Sequence, residues 1–219
     1  MIRLLPEGVG VIPLFLNVRE QVESEFRAAF EQTEAKVREL ASEFNVNLIH
    51  AEGAPLFMLQ GWEGEQRILK GWEQEYGVPL FTSGSSCVES LRALGIKRMV
   101  GMTYIRGEIN EAFRRYFQDA GLEVLAMECM PGDFATVRQI TSGDVYYWAK
   151  QLFLRHPGAQ GVYLLGSGWS VLDIIEEIEQ DLRVPVVHPV PARVWAVQQR
   201  LHIHQPVGGC GQLLATLPG

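Results

Sequence analysis

Two segments of the chain place small residues where a strand would hand over to a helix. Leu165-Gly166-Ser167-Gly168-Trp169 sets two glycines around a serine, and Thr82-Ser83-Gly84-Ser85-Ser86 puts hydroxyls ahead of a helical pattern starting at Cys87. Small residues let a backbone approach a ligand closely, and the N–H groups opening a helix attract a carboxylate or a phosphate. Ordinary capping by Thr or Ser explains the second segment equally well, and both readings stay open. Neither segment is a Walker loop or a dinucleotide fingerprint, because the lysine and the glycine spacing are missing. Ser167 with His188 as its base would make a hydrolase, yet Gly-Ser-Gly lacks the nucleophile-elbow spacing and nothing places an acid behind His188. A backbone cradle for an anion suits the glycines better.

Other candidates lie at strand ends. Tyr104 closes one strand, where its hydroxyl could donate to an oxyanion or its ring could simply pack on a helix. His188 closes another, as a catalytic group or as a hydrogen-bonded structural one. Glu52 follows a strand and Glu128 ends one; either could act as a base if desolvated. His202 and His204 stand two apart without a third ligand or a carboxylate, so no metal is expected. Cys87, Cys129 and Cys210 are odd in number and lack metal spacing, which suits a reducing compartment, the cytoplasm.

The elements that must position these groups follow from composition and pattern. The chain has 219 residues, 47% hydrophobic and 21% charged, which suits a folded globular protein. With 19 basic against 26 acidic residues, the net charge is −7, and no basic cluster offsets it, so nucleic acid is not an expected partner. No apolar run reaches the roughly 20 residues that a membrane helix needs, so no membrane association is expected either. Short β-rich runs alternate with amphipathic stretches, the signature of a parallel sheet with helices on both faces. Strands are expected at 8–14, 46–50, 56–59, 80–81, 98–103, 123–127, 161–165 and 186–188. Helices are expected at 18–44, 63–76, 88–94, 107–120, 142–155, 171–182 and 191–200.

One similarity within the chain points to duplication. Met58 to Trp62, a helix, then Val78-Pro79-Leu80-Phe81-Thr82 resembles Leu165 to Trp169, a helix, then Val184-Pro185-Val186-Val187-His188, at an offset of 106 to 107 residues. Two α/β halves would then share a cleft at the carboxyl ends of their strands, with Gly61-Trp62 and Gly168-Trp169 lining it. The expected halves are 1–104 with 190–219, and 105–189.

Several further stretches carry a family resemblance. They are Leu91-Arg92-Ala93-Leu94-Gly95-Ile96-Lys97-Arg98, Thr103-Tyr104 with Glu108-Ile109-Asn110, Leu172-Asp173-Ile174-Ile175, and Val184-Pro185-Val186-Val187 followed by Pro191-Ala192 and Trp195. In order and in ensemble they resemble the arylmalonate decarboxylase and maleate cis-trans isomerase branch of the aspartate/glutamate racemase superfamily. The resemblance implies two flavodoxin-like halves related by a pseudo-twofold. It also implies a cofactor-free lyase or isomerase acting beside the carboxylate of a small mono- or dicarboxylic acid. Family chemistry places cysteines at two turns that correspond here to Gly166 or Ser167 and to Leu59 or Gln60, none of them cysteine. The resemblance makes Tyr104, Gln60, Gly61, Ser167 and Gly168 carboxylate-binding, with Asn17, Thr82, Ser83, Gly166 and His188 toward the same cleft. Ser167, His188 and Tyr104 are then the candidate proton donors. A carboxylate-binding protein without catalysis is the alternative, and a homo-oligomer is compatible with either.

Overall fold

A computed structural model describes residues 1–16, 23–131, 137–166 and 168–219. Asn17 and Ser167 lie outside the described residues. The parallel strands are β1 (Ile49–Ala51), β2 (Leu80–Thr82), β3 (Arg98–Thr103), β4 (Glu123–Cys129), β5 (Gly161–Leu164) and β6 (Val186–Val187). β1 and β2 form one two-stranded sheet, and the other four form a second sheet in the order β4-β3-β5-β6. β3, although inside the span assigned above to the first half, hydrogen-bonds to β4 and β5. Helices α1 (Glu23–Glu43), α2 (Ala54–Met58), α3 (Trp62–Tyr76), α4 (Ser83–Ala93) and α5 (Gly107–Asp119) are followed by α6 (Ser142–Arg155), α7 (Ile175–Leu182), α8 (Pro189–Arg200) and α9 (Gln212–Thr216).

Alternation along the four-stranded sheet divides its side chains between two cores, as a period of two requires. Met99, Tyr163 and Val187 pack into one core with residues of α4, α5 and α8. Val100, Val162, Leu164 and Val186 face the opposite core with α6 and α7. A third cluster joins α1, α2 and α3 to β1 and β2 through Val37, Phe57, Leu69 and Trp72.

Two expected strands are absent. Residues 8–14 are irregular, without a pairing partner among the described residues. Residues 56–59 belong mostly to α2, which Pro55 opens in the first-turn position that tolerates a missing N–H. α4 also begins earlier than expected, at Ser83, because Thr82 caps it through its hydroxyl in a capping box with Ser85.

The duplication is visible in the hydrogen bonds. The Glu73 carboxylate accepts from the Leu80 N–H, and 106 residues on, the Glu179 carboxylate accepts from the Val186 N–H, both at 2.8 Å. Ile49 N–H donates to the Pro79 carbonyl as Val162 N–H donates to the Pro185 carbonyl, both at 3.0 Å. β2 therefore matches β6 at an offset of 106, whereas β1 matches β5 at 113, the first half being longer between its two strands. This register makes Gly53 the counterpart of Gly166, with φ of 117° and 135°. Gly61 is not the counterpart of Gly168, and Trp62 packs edge-on against Tyr116 with the Arg92 guanidinium over its ring. The last residue before each packed helix of the pair α4 and α8 is Thr82 in one half and His188 in the other.

Candidate active site

A cavity of about 1200 Å³ receives both glycine turns. Glu52, Gly53 and Ala54 form one side, while Tyr104, Leu165 and Gly166 form another. His50, Ser83 and Arg193 add polar groups beside these turns, Thr33, Lys36, Asn45 and Asn47 line the cavity further away in the sequence, and the N-terminal segment from Glu7 to Leu16 borders it as well. Of the residues expected at the site, Ser83, Tyr104 and Gly166 reach this wall. Gln60, Gly61 and Thr82 do not, because α2 and the capping of α4 carry them elsewhere, and Gly168 and His188 stand behind the wall, against Tyr104 and the Gly166 carbonyl. Thr82 is fully buried and its hydroxyl donates to the carboxylate of Glu65, a buried residue in the first turn of α3.

Tyr104 owes its place to the end of β3. Thr103 donates its hydroxyl to the Asn110 side chain at 2.7 Å, and the Asn110 amide donates to the Met127 carbonyl at 3.0 Å, fixing the turn between β3 and α5. The Tyr104 ring then meets Trp169 edge-to-face at 5.2 Å and lies against Gly166, where an added Cβ would come 2.1 Å from Tyr104 Cε1. The Gly168 N–H hydrogen-bonds the phenol oxygen, while burial pushes the phenol above its ordinary range. Its proton therefore stays in place near neutral pH and can be donated to an anionic oxygen.

His188 serves the same turn from below. Its Nδ1 accepts from the Val190 N–H at 3.3 Å and caps α8, which leaves Nε2–H to donate to the Gly166 carbonyl at 2.9 Å. Burial is the main cause that brings this imidazole down to about 4, so it is neutral at physiological pH. Both ring nitrogens are occupied, and the geometry is that of a residue positioning Gly166.

The opposite side carries charge. Ser83 Oγ donates to Glu52 at 3.2 Å and lies 3.4 Å from His50 Nε2, while His50 Nδ1 is 3.7 Å from the same carboxylate. Arg193, from the first turns of α8, pairs with Glu52. Burial first, then Arg193 and Arg200, hold His50 well below its ordinary value. Sequence reasoning noted Glu52 but missed His50 and Arg193. The signal was an arginine in the otherwise apolar run Pro189-Val190-Pro191-Ala192-Arg193-Val194-Trp195.

The cysteines lie outside the cavity wall. Cys87 is fully buried in α4, and burial pushes its thiol far up, so no thiolate is available there. Cys129 and Cys210 are raised by burial as well. Among the described residues, no cluster of three His, Cys, Asp or Glu side chains could hold a metal, and no helix is long and apolar enough to cross a membrane.

A family model described as arylmalonate decarboxylase matches residues 4–214. The arylmalonate decarboxylase of Bordetella bronchiseptica is 26% identical over 145 residues, 65% of this chain. That stretch spans 60% of the relative, less than two thirds of its length. A crystal structure of arylmalonate decarboxylase superposes with a TM-score of 0.79 at 21% identity, covering 86% of this chain and 83% of that one. A mutant maleate cis-trans isomerase from Nocardia farcinica, with a covalently bound succinylcysteine intermediate, superposes at 0.81 with 20% identity, covering 89% and 81%. Both superpositions concern the fold.

Proposed function

The chain belongs to the arylmalonate decarboxylase family, and from that premise we propose that its cavity converts a small mono- or dicarboxylic acid at the carbon beside a carboxylate, without a cofactor. The observation that carries this reading is the convergence of the two repeat-related glycine turns, Gly53 and Gly166, on one cavity with Tyr104 across the second turn. In decarboxylation the bond to the departing carboxylate breaks, CO2 leaves, and the electron pair moves onto the remaining acid as an enediolate. Tyr104 meets that charge with a proton it does not lose, and each such donor, preorganised in a site away from water, contributes about 3 kcal/mol.

Leu165, Ile105 and Phe81 are among the apolar residues of the wall, which strengthen charge interactions beside them. His188 holds the Gly166 carbonyl and so sets where the turn presents its backbone. Ser167, between the two glycines by sequence, is the proposed proton donor to carbon. Three free cysteines fit a reducing compartment, the cytoplasm.

The test is a proton-NMR screen of phenylmalonate, maleate and related small acids against the protein, with thermal shift run in parallel. Turnover of one of them that falls in Tyr104→Phe supports the reading. Thermal stabilisation by these acids with no conversion would leave a binding protein, and neither effect at millimolar concentration would refute a carboxylate site.

A further inference from the structure

Arg193 is short of acceptors. Its side chain is only 9% exposed and lines the cavity, where it forms an ion pair with Glu52 through Nη2. Nη1 donates to the Met1 sulfur at 3.1 Å, a weak acceptor. Nε makes no hydrogen bond among the described residues, and Nη2 has its ion-pair contact with Glu52 alone among them. A buried guanidinium offers five N–H donors in a planar fork that matches a carboxylate, and leaving them unsatisfied is costly.

Glu52, by contrast, has alternatives. Its side chain is 49% exposed, Ser83 Oγ already donates to it, and His50 Nδ1 stands close by. It can leave Arg193 and keep these partners. The register that pairs Gly53 with Gly166 also pairs Glu52 with Leu165, so the acidic member of the pair has an apolar residue as its counterpart in the other half.

We propose that Arg193 is a substrate-binding residue that takes a carboxylate of the incoming acid, and that Glu52 is its resident counter-ion, displaced toward Ser83 and His50 when the acid binds. This rests on reading the cavity as a carboxylate site. Two consequences follow. Glu52 competes with the ligand, so removing its charge tightens anion binding. Arg193 supplies the opposing attraction, so removing it abolishes that binding, and lysine, a point charge without the fork, restores only part.

The experiment is calorimetric titration of malonate into the native protein, Glu52→Gln, Arg193→Met, Arg193→Lys and the double variant Glu52→Gln/Arg193→Met, with neutral malonamide as control. Glu52→Gln and Arg193→Met each leave one charge unpaired, whereas the double variant removes both; circular dichroism checks that every variant is folded. The expected result is malonate affinity at least tenfold higher in Glu52→Gln, lost in Arg193→Met and in the double variant, intermediate in Arg193→Lys, and no ordering of this kind for malonamide. Malonate affinity unchanged in folded Arg193→Met or in the double variant would overturn the proposal. So would a Glu52→Gln protein that binds no tighter than the native one. If the native protein turns over an acid with the same KM as Arg193→Met, the assignment of Arg193 fails while the catalytic reading stands. If malonate follows the expected order and no acid is converted, the assignment stands and catalysis fails.

Discussion

Gly166→Ala should be among the most damaging one-atom changes in this chain, and the structure says why. Gly166 has φ of 135°, where a residue with a Cβ is strained by about 1–3 kcal/mol. The new Cβ would also lie 2.1 Å from Tyr104 Cε1, a separation that real side chains do not show, so the ring must move. Overpacking of this kind costs about 1–3 kcal/mol, and loosening the edge-to-face contact with Trp169 adds about 0.5–1.5 kcal/mol. The expected loss is then about 2.5–7.5 kcal/mol, a large share of the roughly 5–15 kcal/mol that holds a typical domain folded. Urea unfolding of Gly166→Ala, Tyr104→Ala and the double variant separates the causes. Without the ring only the backbone strain remains, so the cost of Gly166→Ala should fall to about 1–3 kcal/mol in the Tyr104→Ala background. Gly53→Ala is the internal comparison. Its Cβ meets Leu56 Cδ1 at 2.5 Å, the far end of a side chain that can turn away, so mainly the φ strain should appear. A Gly166→Ala protein within about 0.5 kcal/mol of native, the range of an ordinary surface change, or an equal cost in both backgrounds, would refute this packing of Tyr104 on the turn.

Tyr104→Phe keeps the ring and deletes one donor, so carboxylate affinity or turnover should fall by about 1.5–3 kcal/mol, measured by titration and steady-state kinetics. Replacing Cys87, Cys129 and Cys210 together by Ala should leave turnover within a few fold in folded protein, since none of them lines the cavity; a loss traced to one of them would reassign the chemistry to a thiol. Stability should fall as the solution is acidified. His188 stands at about 4 in the fold against an ordinary 6.5, so the unfolded chain takes the proton first. Its contribution is intact above pH 6.5, declines from there to about 4, and amounts to about 3 kcal/mol in all. His50 acts in the same direction, and urea midpoints that stay level between pH 7 and 4.5 in Glu65→Gln protein, which lacks the opposing buried carboxyl, would contradict both. Glu65 runs the opposite way: burial raises its carboxyl, so its penalty grows as pH rises above 4.5, and Glu65→Gln should be tolerated near neutral pH or should raise the melting temperature.

The elements closest to their expected bounds are those with unambiguous ends. α6 starts with the capping box of Thr141 and Asp144 and stops before His156-Pro157, and β3 carries the apolar run Met99-Val100-Gly101-Met102 between Arg98 and Thr103. Leu56-Phe57-Met58-Leu59 was misleading because four apolar residues fit a short buried strand as well as a helical turn, and periodicity cannot separate them. Pro55 held the discriminating information, as a residue that opens helices. The repeat was legible through Val78-Pro79 and Val184-Pro185, which precede corresponding strands. The shift from 106 to 113 residues was not, because only the strand register shows where the extra residues of the first half fall, and it moves the first turn from Gly61 to Gly53. Tyr104, Ser83 and Gly166 were named from strand ends alone. Arg193 and His50 required the fold, since a lone arginine in a helix and a lone histidine in a strand become site residues only when α8 and β1 are brought to one cavity.

The claim that Gly53 and Gly166 share one carboxylate cavity is tested most directly by a crystal structure of the protein with malonate. The account predicts a carboxylate in that cavity, within hydrogen-bond distance of the Tyr104 hydroxyl and between the two glycine turns. Malonate bound only outside the cavity, or an unchanged cavity in crystals grown at saturating malonate, would contradict it.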